Sequence, residues 1–210
     1  MAEEIRIYTT VKHDGEAEFE EKRSVFIGYA KRVTTAEDAA DFIKAIKKKH
    51  PDARHNCSAY LLRGGTVARY SDDGEPQGTA GMPILETIRK SGAEDVCIVV
   101  TRYFGGILLG AGGLTRAYAH AAAIALGAAE IVTYEEYHEY RLVCSYSEYQ
   151  RYIALLGNTG AIIDDTVYDA DVTVSFAMKP SEAEAFVEKV VEISGGKNRP
   201  ERIGTRFDAK

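Results

Sequence analysis

The chain of 210 residues is long enough for one large domain or for two small ones. Its composition, 45% hydrophobic and 28% charged, is that of a globular protein, and no stretch reaches the roughly 18 uncharged apolar residues that a membrane span requires. We therefore expect a cytoplasmic protein with no membrane partner. The net charge is −6, of which −1 falls in residues 1–130 and −5 in residues 131–210. This balance argues against nucleic-acid binding through overall positive charge, but it leaves room for a local basic face in the first part.

The cysteines indicate neither a disulfide framework nor a zinc cluster. Cys57, Cys97 and Cys144 are odd in number, far apart and set in apolar or strand-like segments. We expect them to be buried structural thiols.

Apolar periodicity predicts alternating strands and helices in the first 130 residues. Thr34 and Glu37 have the spacing of a capping box, and the apolar run from Cys97 to Val100 is typical of a strand covered on both faces. The expected elements, in chain order, are strands over 5–33 with a turn at Asp14-Gly15, a helix from about 36 to His50-Pro51, strands over 55–62 and 67–70, a helix from Thr79 or Ala80 to Lys90, a strand at 97–100 and a helix over 114–129.

A second set of elements follows Glu130 in the order βαββαβ, which is that of a ferredoxin-like sandwich. Ser181 and Glu184 have the spacing of another capping box. We therefore expect an α+β protein with a boundary near 130, so that 1–130 and 131–210 form separate domains. The elements expected in the second domain are strands over 131–144, 161–168, 171–178 and 202–207, with helices over 147–156 and 181–193.

The most unusual segment is a glycine-rich stretch over 105–113 that leads into an alanine-rich helix. The N–H groups at the start of a helix attract anions, so this segment predicts a phosphate site flanked by Arg102 and Arg116. The alternative is that the glycines only let the helix pack closely on a sheet. The segment matches neither a P-loop nor a dinucleotide fingerprint, and we expect no cofactor. Its five glycines are Gly105, Gly106, Gly110, Gly112 and Gly113.

A second segment, 71–81, crowds three carboxylates into four positions: Asp72, Asp73 and Glu75. They have the chemistry to hold Mg²⁺, to pair with nearby arginines, or simply to form a turn, and a turn is the commoner outcome for an Asp-Gly pair. We expect no metal, and keep magnesium at these three residues as an alternative. Thr79 is a candidate N-cap for the helix that follows.

Several other polar and aromatic side chains surround these two segments. Arg54 and His55 lie at the entry to a strand, and His55 shares a strand face with Cys57, although a strand cysteine is more often buried and inert than nucleophilic. His120 follows Arg116 by one helical turn. Two aromatic residues near the glycines, Tyr103 and Tyr118, are candidates either for stacking on bases or for covering the core.

Three stretches together carry a resemblance to a known family. Residues 53–60, 71–83 and 100–118 closely resemble the motifs of the Impact family and its bacterial YigZ branch, in the same order and at suitable spacing. The resemblance implies an N-terminal domain similar to the second domain of ribosomal protein S5 and to domain IV of elongation factor G. It also implies a C-terminal domain similar to domain V of that factor.

The resemblance also implies a link to translation. Eukaryotic relatives regulate translation by competing for an activator of the kinase that phosphorylates an initiation factor, partly through an extra N-terminal domain that this sequence lacks. What the resemblance carries over to this chain is a surface that faces nucleic acid or the ribosome. Its residues are Arg102, Tyr103, Gly105, Gly106, Arg116 and Tyr118.

These observations leave three hypotheses of function. The first is a non-enzymatic, translation-associated protein that binds RNA or the ribosome through the glycine-bordered helix starts and Arg54, Arg102 and Arg116, with a protein of the translation machinery as a further partner. The second is an enzyme for a phosphorylated small molecule, in which the three carboxylates bind Mg²⁺ and His55 or His120 moves a proton. The third is an interaction module whose acidic C-terminal domain binds a basic protein.

Overall fold

The computed structural model describes residues 7–65 and 67–209, and the chain divides into two compact units. The amino-terminal unit is Tyr8–Thr133, and the carboxy-terminal unit combines Met1–Ile7 with Tyr134–Lys210. Strands and helices occur in both units, which confirms the expected α+β class. Within the described residues no helix has both the length and the apolar character needed to cross a membrane.

The amino-terminal unit contains a five-stranded antiparallel sheet in the order β2-β3-β6-β4-β5. Its elements, in chain order, are β1 (Ile7–Val11), β2 (Gly15–Glu21), β3 (Ser24–Arg32), α1 (Ala36–Lys49), β4 (His55–Leu61), β5 (Ala68–Ser71), α2 (Gly81–Ser91), β6 (Val96–Tyr103) and α3 (Gly110–Ala128).

The central strand β6 is buried on both faces, as its apolar run predicts. Because side chains alternate along a strand, Cys97 and Val99 pack with α1 on one face, while Ile98 and Val100 pack with α2 and α3 on the other. The register of the sheet places Arg102 directly between Phe26 of β3 and His55 of β4. The end of β6 therefore presents a guanidinium on the face that α3 covers.

Helix α3 packs against the backbone of the β2–β3 hairpin. A Cβ on Gly28 would lie 2.5 Å from the Ala121 carbonyl oxygen, and one on Gly15 would lie 2.5 Å from the Ala129 nitrogen. Glycines in the strands and alanines in the helix thus permit the close approach. This packing fixes where α3 begins relative to β6.

Two helix caps and one helix start differ from the expected ones. The capping box of α1 is formed by Thr35 and Asp38, because Asp38 accepts from the Thr35 N–H and donates its own N–H to the Thr35 hydroxyl. Helix α3 begins at Gly110 and not at residue 114. The expected capping box at Ser181 is wrong, since the helix Pro180–Ile193 has Lys179 as its N-cap and Pro180 in its first turn.

The carboxy-terminal unit has the expected βαββαβ order. Its strands lie in the order β10-β7-β9-β8, all antiparallel, and one face of this sheet packs on the two helices through residues such as Leu142, Val174 and Phe176. The elements are β7 (Ile131–Cys144), α4 (Tyr146–Leu156), β8 (Ile162–Tyr168), β9 (Val172–Met178), α5 (Pro180–Ile193) and β10 (Glu201–Ala209).

Candidate functional site

A buried ion pair lies at the end of β6. The Arg102 guanidinium donates from Nη1 to Glu75 Oε1 at 2.6 Å, and the two side chains are 6% and 4% exposed. The Tyr118 hydroxyl donates to the same Glu75 oxygen at 2.8 Å. Ser24 Oγ accepts from Arg102 Nη2 at 3.4 Å and from the Gly105 N–H at 3.2 Å. The ion pair is therefore held by Tyr118 on one side and by Ser24 on the other. Ser24, in β3, also binds the Gly105 N–H and so links the start of the glycine-rich segment to that strand.

Three polar atoms around this pair have open hydrogen-bonding capacity. Arg102 Nε is buried and has no partner among the described residues. The described hydrogen bonds to Glu75 all end at Oε1, so Oε2 receives none from the same residues. His55 Nδ1 donates to the Asp73 carbonyl at 2.9 Å, which leaves the lone pair on Nε2, 4.0 Å from Glu75 Oε1.

These side chains line one pocket, here called the central pocket, with a volume of about 340 Å³. Its polar residues are Arg54, His55, Glu75 and Arg102. The rest of its lining comes from Pro76, Phe104, Leu108, Leu109, Gly110, Ala111 and Leu114. The pocket thus joins the 71–81 segment, the glycine-rich segment and the start of α3.

The start of α3 has no cap. Its N-cap residue, Leu109, has no side chain that accepts a hydrogen bond, and the first turn carries no acidic residue. The N–H groups of Ala111 and Gly112 donate to no atom outside α3 among the described residues. The positive end of the helix dipole is therefore left unsatisfied beside the central pocket.

The glycines at this helix start do not serve close packing on the sheet. A Cβ on Gly110, whose φ is +73°, would meet no atom within 4 Å, and one on Gly112 would meet only Arg116 Nη1 at 3.6 Å. A Cβ on Gly113 would meet the Leu109 side chain and no sheet atom. Because Gly110 and Gly112 face largely open space, an approaching ligand can contact the backbone there directly.

The two glycines at the beginning of the segment have different roles. Gly105 lies against the β2–β3 turn, where a Cβ would meet the Arg23 carbonyl oxygen at 1.9 Å. Gly106 has a φ of +87° and open space around it, so a side chain at this position would be disfavoured by the backbone conformation and not by a clash.

The three carboxylates of the 71–81 segment have separate protein partners. Asp72 accepts the N–H groups of Gly78, Ala80 and Gly81 and thereby caps α2. Thr79, the expected N-cap, instead donates its hydroxyl to the Pro76 carbonyl. The N-cap position of α2 is Ala80, which explains why a distant aspartate supplies the cap.

Asp73 and Glu75 are engaged elsewhere. Asp73 accepts the Asn56 N–H at 2.7 Å and pairs with Lys47 at 2.6 Å, while Glu75 pairs with Arg102. In the described ranges no three His, Cys, Asp or Glu side chains form a group that could hold a metal ion. Glu75 thus shows the pairing with an arginine that was one of the alternatives for this segment.

Arg116 lies in a different pocket from Arg102. A second pocket of about 220 Å³, here called the lateral pocket, is lined by Lys22, Arg116 and His120 together with Glu21. Its other lining residues are Phe19, Leu109, Gly113 and Ala117. Arg102 and Arg116, expected to flank a single site, thus lie in two pockets that share Leu109.

The two candidate stacking residues do not face the central pocket. Tyr118 is fully buried and donates to Glu75, so it belongs to the core. Tyr103 follows Arg102 in the strand and faces the opposite side of the sheet, where its hydroxyl lies 2.8 Å from His50 Nδ1. Sequence reasoning missed Leu108, an apolar pocket residue that is 83% exposed, although an apolar pair within a glycine-rich segment is a readable signal.

The cysteines are buried free thiols in the described residues, as expected. Cys57 Sγ donates to the Asp72 carbonyl at 2.9 Å, and burial raises the pKa of Cys57 to about 12. Burial and this hydrogen bond fit the expected structural thiol better than a nucleophile paired with His55.

Comparison with known proteins places the chain in a family. The model of the Impact N-terminal domain matches residues 22–126, which include every residue of the central pocket and all residues of the lateral pocket except Phe19 and Glu21. IMPACT family member YvyE of Bacillus subtilis is 38% identical over 192 residues, covering 91% of this chain and 88% of that protein. The chain belongs to the IMPACT family. The resemblance stated from its three motifs is thus confirmed.

Two further likenesses extend over both units of this IMPACT protein. IMPACT family member YigZ of Escherichia coli is 36% identical over 178 residues, covering 83% of this chain and 87% of that protein. A solved structure titled "Crystal structure of an hypothetical protein" has a TM-score of 0.60 at 33% identity and covers 94% of this chain and 98% of that one. A domain of unknown function, DUF1949, matches residues 142–197.

Proposed function

We propose that this IMPACT protein is a non-enzymatic, translation-associated protein that binds RNA, free or within the ribosome, through the start of helix α3. The observation that carries the proposal is the uncapped first turn of α3, whose Ala111 and Gly112 amides have no acceptor outside the helix among the described residues. RNA supplies the phosphate oxygens that such amides bind well.

Exposed cations on both sides of the helix start support a phosphate ligand. Arg54 lies at the central pocket, and Lys22 and Arg116 lie at the lateral pocket. Of these residues Arg54 and Arg116 are exposed and take part in no described ion pair. Cations that are free in this way release counterions when they meet RNA phosphates, which favours binding at low salt.

The other candidate residues have supporting roles in this proposal. Arg102 is bound to Glu75 and buried, so it shapes the central pocket and does not contact the RNA backbone. Gly105, Gly106 and Gly110 hold the segment in the path that leaves the amides accessible. Tyr103 and Tyr118 stabilise the strand and the helix that carry the site.

The finer fold assignment and the location are part of the same proposal. The amino-terminal unit corresponds to an S5 domain 2-like fold and the carboxy-terminal unit to a ferredoxin-like fold, with a domain boundary near residue 130. The antiparallel strand order β10-β7-β9-β8 within a βαββαβ unit supports the second assignment. Binding to RNA or to a protein of the translation machinery places the chain in the cytoplasm.

The test is the salt dependence of RNA binding. Fluorescence anisotropy with a labelled single-stranded RNA is measured for the native protein, for Arg116→Gln and for Arg69→Gln, an exposed arginine on the edge strand β5 that lines neither pocket. Arg116→Gln is expected to weaken binding and to reduce the slope of log K against log salt by about 0.7, the contribution of one phosphate contact on a single strand. Equal loss in both variants, or no binding by the native protein, contradicts the proposal.

One observation favours a second candidate, an enzyme that acts on a phosphorylated small molecule. His55 Nε2 keeps its lone pair inside the central pocket, 4.0 Å from Glu75 Oε1, which is an arrangement suited to proton transfer. Incubation with nucleotides and phosphosugars, followed by phosphorus NMR, tests it with His55→Gln as the comparison. Turnover by the native protein that His55→Gln abolishes would establish the enzyme, and unchanged substrates would exclude it for those compounds.

A further inference from the structure

The floor of the central pocket offers both a donor and acceptors. Arg102 Nε–H is a buried donor without a partner among the described residues, and Arg102 is 6% exposed. Glu75 Oε2 and His55 Nε2 are acceptors without described hydrogen bonds. A phosphate has only acceptors at neutral pH, and the Glu75 carboxylate repels it. The floor therefore suits a neutral group that both donates and accepts.

The walls of the pocket are apolar and suit a flat ring. Phe104 and Leu108 are 49% and 83% exposed, and they line the pocket together with Pro76 and Leu114. The volume of about 340 Å³ lies within the roughly 300–1,000 Å³ range of small-molecule sites. Exposed apolar side chains next to buried polar ones are the usual arrangement for binding a heterocycle.

The rim of the same pocket suits an anion. Gly110 and Ala111, in the first turn of α3, line it, and Arg54 is exposed at its edge. These groups are exposed, whereas the Glu75 side chain is 4% exposed and is held by Arg102 and Tyr118 at the floor. A ligand with a heterocycle at one end and a phosphate at the other matches the pocket from floor to rim.

From this match we infer that the central pocket binds a guanine nucleotide with its base inward and its phosphate at the start of α3. Guanine presents two neighbouring donors, N1–H and the N2 amino group, that can converge on Glu75 Oε2, the oxygen without a described hydrogen bond, and its O6 accepts from Arg102 Nε–H. The inference deepens the proposed function, because it names the nucleotide that the RNA site recognises. The source of the nucleotide is either the 5′ end of a single-stranded RNA or free GMP.

Other bases match the floor less well. Adenine offers one amino donor and presents the acceptor N1 beside it, so only one hydrogen bond to Glu75 forms. Uracil offers the single donor N3–H between two carbonyl groups. Hydrogen bonds to a charged group are stronger than those between neutral groups. Losing a bond that contributes about 1.4 kcal/mol lowers the affinity about tenfold. We expect GMP to bind about tenfold more tightly than AMP or UMP.

The first experiment compares bases and phosphates on the native protein by isothermal titration calorimetry. Its ligands are GMP, AMP, UMP and guanosine, followed by two short single-stranded RNAs with a 5′-phosphate that differ only in having G or A at the 5′ end. GMP binding that exceeds AMP binding about tenfold and guanosine binding by a measurable factor supports the inference. Equal affinity for the three nucleotides, or no saturable binding of any of them, overturns it.

The second experiment uses matched exposed residues, so that loss of folding does not confuse the result. Leu108→Ser removes an apolar wall, while Ile107→Ser alters its exposed neighbour that does not line the pocket. Arg54→Gln removes the cation at the rim, and Arg69→Gln is its control away from the pocket. Leu108→Ser is expected to weaken GMP binding about tenfold. Arg54→Gln is expected to weaken the binding of GMP but not that of guanosine, so that the ratio of the GMP affinity to the guanosine affinity falls.

Base selection is tested at the floor with Glu75→Gln, whose folding is checked by circular dichroism. An amide in place of the carboxylate turns one acceptor into a donor, so the preference for GMP over AMP is expected to disappear. Unchanged selectivity in the folded variant overturns the assignment of the base edge to Glu75. If that variant does not fold, the comparison of Leu108→Ser with Ile107→Ser still decides.

Failure of the inference and failure of the proposed function give different results. RNA binding that depends on Arg116, together with equal affinity for GMP, AMP and UMP, overturns the inference and leaves the proposed function standing. Selective GMP binding without RNA binding overturns the proposed function and supports the inference with the free nucleotide as the ligand.

Discussion

Asp72 caps helix α2 from nine residues away: its Oδ1 accepts the Gly81 N–H at 2.8 Å and the Ala80 N–H at 3.0 Å. Its other oxygen accepts the Gly78 N–H at 2.8 Å. One carboxylate thus satisfies three amides at a helix start that has no side-chain cap of its own. The 71–81 segment consequently folds as a cap for α2, and it holds Glu75 in place beneath the central pocket.

Replacement of Asp72 by alanine is therefore expected to destabilise the protein. The substitution leaves three amides without an acceptor, and loss of an N-cap usually costs about 0.5–2 kcal/mol, so we expect a value near the top of that range. Urea unfolding measures the free energy of unfolding. Asp52→Ala, at an exposed turn position, is the control and is expected to change it by less than about 0.5 kcal/mol. Similar losses in the two variants would show that the cap contributes little.

The buried pair of Arg102 and Glu75 gives a second prediction. Arg102→Met leaves the Glu75 carboxylate buried without its cation, and breaking a buried pair in this way costs about 3–5 kcal/mol. The double variant Arg102→Met/Glu75→Gln removes both charges and is expected to be more stable than Arg102→Met alone. Denaturant unfolding of the native protein, both single variants and the double variant yields the coupling energy. If the double variant lost as much free energy of unfolding as the two single variants together, the result would contradict a direct interaction.

The order of elements could be read from the sequence because hydrophobic periodicity is a local property. The apolar run from Cys97 to Val100 has the pattern of a strand covered on both faces, and β6 occupies the centre of its sheet. The βαββαβ order of the second part follows from the same kind of pattern. These signals depend on neighbouring residues alone.

The details that build the site are set by contacts between distant residues. Helix α3 begins at Gly110, within a stretch whose glycines have poor helix propensity, because packing of α3 on the β2–β3 hairpin outweighs that local preference. The sequence identified Arg102 and Glu75 as candidates, but their pairing depends on the strand register and on the α2 cap. Arg102 and Arg116 were expected to act together, and the direction of α3 separates them.

The glycine-rich segment gives a third prediction, in which two adjacent glycines respond differently. A methyl group on Gly105 would lie 1.9 Å from the Arg23 carbonyl oxygen, so Gly105→Ala must displace the β2–β3 turn and is expected to cost about 2–4 kcal/mol. Gly106→Ala meets no atom and bears only the cost of a positive φ, about 1 kcal/mol. Thermal and urea unfolding compare the two variants. A larger loss for Gly106→Ala would contradict the close approach at Gly105.

His50 gives a prediction about pH. Its Nε2 lies 2.7 Å from the Tyr29 hydroxyl and its Nδ1 lies 2.8 Å from the Tyr103 hydroxyl. Burial, and next the charge of Lys49, lower the pKa of His50 below its ordinary value of 6.5, while Glu16 opposes the shift. The unfolded chain therefore binds a proton more readily than the folded one as the pH falls through 6.5. The contribution of neutral His50 to the free energy of unfolding is therefore fully present above pH 6.5 and is lost as the pH falls below that value.

We accordingly expect the free energy of unfolding to decrease between pH 7.5 and pH 5.5, and His50→Gln to flatten that part of the profile. Urea unfolding at several pH values measures the effect, and an NMR titration of the native protein locates the pKa of His50 itself. Each unit by which that pKa lies below the unfolded value corresponds to about 1.4 kcal/mol between the two protonation states. His13→Gln, at an exposed histidine, serves as the control. A native His50 that titrates above 6.5, with a profile unchanged in His50→Gln, would show that its two tyrosine contacts favour the charged form.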